Sequence, residues 1–224
     1  HAREGGARSA QPHRALPRGV AAADRRRSIA VRHVKARHRA RRGGSFDDIR
    51  DKGSLRDALL HEQRHLCCYC MRRIDEKTMK IEHFVARTKD PTFMYEWHNL
   101  LGVCTDGVTH TCDTARGDRD LHVHPAKPPP RPEDAFILEK TGGMRPVGQG
   151  AEADCITLNL NADVLVAERR SVVDDLRRKL RRADDIGTLR RLLKTASTPT
   201  GNGLPQYSRV AIEYLQRKLR ARER

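Results

Sequence analysis

Residues 67–120 read CCYCMRRIDEKTMKIEHFVARTKDPTFMYEWHNLLGVCTDGVTHTCDTARGDRD. Cys67 and Cys70 form a Cys-x-x-Cys; Glu82 and His83 follow a short apolar approach; a Trp97-x-Asn99-Leu-Leu phrase leads to Cys104, Cys112 and Asp113. A Cys-x-x-Cys turn presents two sulfurs to one metal, and zinc fills a tetrahedron when a second pair of ligands joins. Cys104 and Cys112 are the candidate second pair. Their separation is longer than the usual zinc half-site, so the insert TDGVTHT, which contains Gly107, is expected to bulge outward and leave the sulfurs together. Cys68 in place of Cys67, and His110 in place of a late cysteine, are the competing ligand sets. A redox role is disfavoured because no βαβ pattern surrounds the motif. Buried free thiols are the plain alternative. That suits Cys155 in DCITLNL and fits four clustered cysteines poorly.

The same stretch carries hard ligands and a base. Hydrolysing a phosphodiester needs an activated water and neutralised charge at the phosphate and the leaving oxygen. One histidine and one divalent cation held by carboxylates can supply both. His83 is the candidate base, Glu82 and Asp113 are the candidate cation ligands, and Asn99 is suited to orient the loop or the base. Singly, each is a common surface or core residue. Their specificity lies in their order, interleaved with the cysteines.

Working outward, the chain has 224 residues, a formal net charge of +16, 37% hydrophobic and only 4% aromatic residues. A core this modest gains from a metal staple. The charge favours a polyanion, nucleic acid first. An anionic membrane surface is the weaker candidate, since no basic amphipathic stretch has the aromatic face that interfacial binding needs. No 18-residue apolar run is present, and ALPRGVAAAD is too short and interrupted for a signal peptide. A cytoplasmic protein with reduced cysteines is the expectation.

Three regions are expected. Residues 1–44 form a basic arm, disordered at least over the first 27 residues unless a start site is assigned too far upstream; SIAVRHVKARHRARRGG is either a phosphate-tracking segment or a solvated tail. Residues 45–150 hold the core. A leading helix spans Ser45–Leu66, capped by Ser54, with Leu55, Ala58, Leu59 and Leu66 inward. A strand covers Met79–Val85, and Tyr95–Leu101 begins a loop-to-helix passage. A proline-broken crossing spans Arg119–Pro132, and a hairpin with a Gly-Gly turn spans Ala135–Val147. Residues 151–224 are helical: one helix capped by Asn161 or Asp163 and running to about Arg182, a shorter one around Thr188–Lys194, a loop over Thr195–Pro205, and a last helix with Tyr207, Val210, Ala211, Tyr214, Leu215 and Leu219 on one side. The fold class is α+β.

The phrases LCCYC, KIEHF, EWHNLLGVC and CDTARGD resemble the HNH (ββα-metal) endonucleases, most of all the small HNH subunit of Septu-type and retron-associated anti-phage systems. A helix ending in Gln-x-x-Leu-Cys-x-Tyr-Cys (Gln63 to Cys70) and the phrase ITLNLNADVLVAERR (Ile156 to Arg170) extend the likeness over about Ser28 to Arg182. The resemblance implies a small zinc-stapled ββα-metal core with flanking helices and a following hairpin. It implies His83 as general base, Glu82 and Asp113 as ligands of Mg²⁺ or Mn²⁺, Asn99 as loop-orienting residue, and Cys67, Cys70, Cys104 and Cys112 as the structural zinc site. Asp113 stands where His or Asn is common, and Arg116 where Lys is common. Arg116, Arg87 and Lys89 are the expected nucleic-acid contacts. The resemblance also implies an ATPase partner, which nothing in this chain encodes: there is no Walker A motif.

Overall fold

The computed structural model describes residues 46–48, 51–105, 110–127, 129–182, 185–201 and 203–223. The basic arm, and Gly107 of the Cys104–Cys112 insert, lie outside the described residues.

Helix α1 (Lys52–Glu62) carries Leu55, Leu59 and Leu60 into the core. Its N-cap is Asp51, whose carboxylate accepts from the Ser54 backbone at 3.0 Å. The helix therefore starts later than expected, and Ser54 lies inside its first turn. An aspartate can accept from the N–H three residues on, which fixes the start without Ser54. The chain then turns through a knuckle. Cys67 N donates to Arg72 O at 2.8 Å and Met71 N to Cys67 O at 3.0 Å, so Cys67 and Cys70 project from one tight loop.

Strand β1 (Met79–His83) pairs antiparallel with β2 (Leu100–Cys104), Met79 opposite Cys104 and His83 opposite Leu100. A strand over 100–104 corrects the expected loop-to-helix passage: only a 3₁₀ turn, Trp97–Asn99, precedes it. All five residues of LLGVC are buried, so the run lacks the period-two alternation that marks a half-exposed strand. Gly102 is needed at its centre. A Cβ there would lie 3.1 Å from Met79 Cε and 3.2 Å from Gln63 Nε2. Gln63 uses this closeness: its Oε1 accepts from Gly102 N at 2.7 Å, and its Nε2 donates to Gly102 O at 2.7 Å and Leu66 O at 2.9 Å. One side chain thus ties the end of α1 to β2.

Helix α2 (Cys112–Arg116) is barely more than one turn. After the proline-rich crossing, α3 (Pro132–Ala135) leads into the hairpin β3 (Phe136–Leu138) and β4 (Met144–Pro146). Gly142 in its turn has φ +91°, and a Cβ there would meet Val166 O at 2.1 Å, so the hairpin presses on the next long helix. A short helix, α4 (Ala151–Thr157), precedes it and buries Cys155.

The C-terminal helices are α5 (Asp163–Arg182), α6 (Ile186–Ser197) and α7 (Ser208–Arg222). Leu165, Val173, Leu176 and Leu180 form the buried stripe of α5. Asn161, expected as a cap, instead clasps the hairpin: its Oδ1 accepts from Met144 N and its Nδ2 donates to Met144 O, both at 2.8 Å. The helices dock on the knuckle through Arg72, which forks onto Glu168 at 2.8 and 3.1 Å. Tyr207 OH donates to the same carboxylate, and Tyr207 N donates to Met71 O at 3.0 Å. One hydrophobic cluster runs from α1 through the cysteines to α7. No helix among the described residues is long and apolar enough to cross a membrane.

Candidate functional site

The knuckle supplies Cys67 and Cys70, the end of β2 supplies Cys104, and the start of α2 supplies Cys112. Their four Sγ atoms lie within 4.8 Å of one another, and all four residues are buried. The Cys67–Cys112 and Cys70–Cys104 pairs are each 3.8 Å apart. Four sulfurs around zinc at ~2.3 Å require tetrahedral edges of ~3.8 Å. The donor set therefore fits zinc, with two edges already at that length and the rest within 4.8 Å, and the cysteines are free thiols. Neither competing ligand, Cys68 or His110, belongs to the cluster. Burial opposes ionisation of Cys67, yet hydrogen bonds from Cys104 and Cys112 hold its thiol well below the ordinary value. Hydrogen bonds with Cys104 are the largest cause pushing the Cys70 and Cys112 thiols well up. These opposed shifts arise because the thiols crowd one another, the crowding that a bound cation would relieve.

Beside this cluster lies a second set of ligands. Alternation along β1 puts Lys80 and Glu82 on one face and Ile81 and His83 on the other. Glu82 lies close enough to Asp113, the second residue of α2, for each carboxyl to shift the titration of the other. Each carboxylate also has its own cation: Lys80 Nζ contacts Asp113 and Arg116 Nη1 contacts Glu82. Asp113 and Arg116 are one helical turn apart, so both face β1. Burial is the largest cause that pushes Glu82 up to about 8, and the Asp113 carboxylate beside it is the next. Asp113 lies below its ordinary value although burial opposes it, through hydrogen bonds from Glu82 and Lys80. The two carboxyls are thus pushed apart, Glu82 upward and Asp113 downward, as expected of neighbouring acids in a partly buried site.

Arg116 corrects an expectation. It was assigned to the nucleic-acid surface, but it is 1% exposed. Besides Glu82, its guanidinium donates to Arg119 O at 2.7 Å, His83 O at 3.1 Å, Tyr69 OH at 3.3 Å and Phe84 O. With its donors so committed it holds the end of β1 against α2 and has no face for a phosphate. Arg87 and Lys89 are part-exposed; Arg87 pairs with Asp47 at 3.4 Å and Lys89 with Asp120 at 2.6 Å.

His83 lies across the strand from the carboxylates. Its Nε2 is 3.1 Å from Met94 O, and Phe46 packs edge-on to its ring with centroids 4.5 Å apart. A carbonyl only accepts, so Nε2 carries the hydrogen and Nδ1 keeps its lone pair. Burial lowers its pKa to about 4, and the imidazole is neutral at physiological pH. Asn99 does not touch the carboxylates. Its Oδ1 accepts from Val85 N at 2.7 Å, and its Nδ2 donates to Val85 O at 3.2 Å and Phe93 O at 3.1 Å. It closes the loop that carries Met94, the partner of His83. The structure thus brings Glu82 and Asp113 together, seats His83 on the opposite face of β1, and uses Asn99 as a loop clamp.

Two residues of this neighbourhood escaped the sequence reading. Lys80 stands two positions before Glu82, which alternation alone would have put on its face. Gln63 opens the Gln-x-x-Leu-Cys-x-Tyr-Cys phrase, but its role as a clamp has no local sign, since its partner Gly102 lies 39 residues away.

No family model matches the chain. It is similar to the Septu protein PtuB of Bacillus thuringiensis, with 33% identity over 76 residues. That match covers 33% of this chain and 28% of the PtuB protein.

Proposed function

We propose that the chain is a metal-dependent HNH endonuclease that hydrolyses phosphodiester bonds in nucleic acid, DNA before RNA, as the effector of an anti-phage defence complex. The observation that carries this reading is the meeting of Glu82 from β1 with Asp113 from α2, beside four thiols with zinc-like spacing. In this reading Cys67, Cys70, Cys104 and Cys112 hold a structural zinc that fixes the knuckle, the end of β2 and the start of α2. Glu82 and Asp113 hold Mg²⁺ or Mn²⁺, and the bound cation supplies charge neutralisation at the phosphate and the leaving oxygen. His83, neutral and with Nδ1 unprotonated, takes the proton of the attacking water. Arg116 orients Glu82, and Asn99 keeps the loop that orients His83. The similarity to a Septu protein supports the defence role within a multi-component system; a partner ATPase that gates cutting and a cytoplasmic location are part of this proposal.

A second reading is a zinc-stapled subunit that binds nucleic acid or scaffolds a complex without cutting. It is favoured by the seat of His83, whose ring packs on Phe46 and Met94 rather than beside the carboxylates. Purified chain incubated with plasmid DNA or RNA and Mg²⁺ or Mn²⁺ separates the two. The nuclease reading expects cleavage that His83→Ala abolishes with zinc content unchanged. Full activity in His83→Ala removes His83 from the catalytic role, whereas no cleavage by the wild type with its ATPase present favours the second.

A further inference from the structure

Acids accompany the arginines over much of the helical region. Arg170 and Arg177 share Asp174, while Arg209 and Arg217 share Glu213. That is the usual solvated, charge-laced helix face. The balance tips at one place, where Arg177 still pairs with Asp174 and Arg190 with Glu223 but bases outnumber acids. The last turns of α5, from Leu176 to Arg182, contain Arg177, Arg178, Lys179, Arg181 and Arg182 and no acid; α6 contains Arg190, Arg191 and Lys194 and no acid.

These two segments face each other across a groove of about 470 Å³ lined by Arg178, Lys179, Arg182, Thr188, Arg191 and Leu192, with Asp175 as the only lining carboxylate among the described residues. Asp175 is already engaged by Arg178 at 3.5 Å and Lys179 at 2.6 Å. Arg182 and Arg191 have no acidic partner among the described residues. Like charges held on opposite walls of one groove repel each other unless an anion enters. Such a volume admits more than a single small ion, which suits consecutive backbone phosphates.

The geometry points to the α5–α6 groove as a second nucleic-acid contact of this chain, one that grips the phosphodiester backbone through Arg178, Lys179, Arg182 and Arg191. It deepens the proposed function and rests on nucleic acid being the substrate. Backbone is the fitting ligand because the lining is cationic and carries no aromatic ring for stacking on a base. A membrane surface fits less well, since an interfacial helix needs an apolar face beside its basic one. The groove sits apart from Glu82 and Asp113, so it would hold and orient a long substrate rather than take part in cutting.

The test is fluorescence anisotropy with a labelled mixed-sequence DNA duplex and a matching RNA, run in chelator that leaves the zinc in place, so that cutting does not enter. The Arg182→Ser/Arg191→Ser variant should bind several-fold more weakly, and its log-affinity against log-salt slope should be shallower by about 2. Arg182→Glu should weaken binding further. Arg170→Ser/Arg209→Ser, which removes paired arginines outside the groove, should match the wild type. Circular dichroism and zinc content identify a misfolded variant, in which case Arg191→Gln alone carries the test. Unchanged affinity and slope in the groove variants overturn the assignment while leaving wild-type binding, and with it the nuclease reading, intact. Loss of DNA binding to competing phosphatidylserine vesicles through the same residues would also overturn it, in favour of a membrane.

Discussion

The sulfur cluster and the carboxylate pair share one core and the same short helix α2, yet they are balanced in opposite ways. The four thiols lie within 4.8 Å of one another, and two pairs have the 3.8 Å spacing of a tetrahedral zinc site. Each carboxylate has a protein cation of its own, Lys80 on Asp113 and Arg116 on Glu82. The first set could be completed by a metal ion. The second already has protein cations on both carboxylates. If the proposed function holds, soft sulfur at one site and hard oxygen at the other would keep a structural and a catalytic metal apart.

Substitutions that separate these two balances follow in descending size. Cys70→Ser should remove the tetrahedron and with it cooperative folding, since a structural zinc contributes on the order of 10 kcal/mol; thermal melts with and without a strong zinc chelator read this. Arg116→Met should cost about 3–5 kcal/mol, because it strips a buried carboxylate of its partner. Chemical denaturation measures it, and a loss below ~1 kcal/mol would mean that Arg116 is not the tie between β1 and α2. Gln63→Ala should cost about 1–3 kcal/mol by leaving Gly102 and Leu66 backbone groups unsatisfied in the interior.

The smallest effect is in pH. His83 has its folded pKa lowered to about 4 from 6.5. Its contribution to stability is present above 6.5 and is lost as pH falls through about 4. The wild type should lose roughly 1–3 kcal/mol more than His83→Gln on acidification across that window. Glu82 runs the other way. Its folded pKa is raised to about 8 from 4.5, so in the metal-free protein its contribution is full below 4.5 and is lost as pH rises through about 8. If Glu82 holds a divalent cation as proposed, the affinity for that cation should rise over the same window.

Chemistry-bearing residues were easier to read in the sequence than the scaffold that aims them. The cysteine quartet was recoverable from spacing because one ion imposes one geometry on all four, and the long insert between Cys104 and Cys112 did not prevent it. β1, the hairpin and the three C-terminal helices announced themselves by periodicity and turn residues. β2 did not, because a strand buried on both faces has no alternation to read. The capping of α1 went to Asp51 rather than Ser54, a choice between two competent acceptors that local sequence leaves even. Arg116 was misassigned because a positive residue near a nucleic-acid site is usually exposed; only its one-turn spacing from Asp113 hinted that it would face the carboxylates instead. The seat of His83 depends on Phe46 and Met94, which reach it through tertiary packing and left no local trace.

The central claim is that the sulfurs and the carboxylates are separate metal sites, and manganese binding to the zinc-loaded protein tests it most directly. Calorimetric titration of Mn²⁺ into wild type and Asp113→Asn, with zinc measured in both, should find manganese bound by the wild type, lost in the variant, and zinc equal in the two. Manganese binding that survives Asp113→Asn, or zinc that leaves with the aspartate, would contradict it.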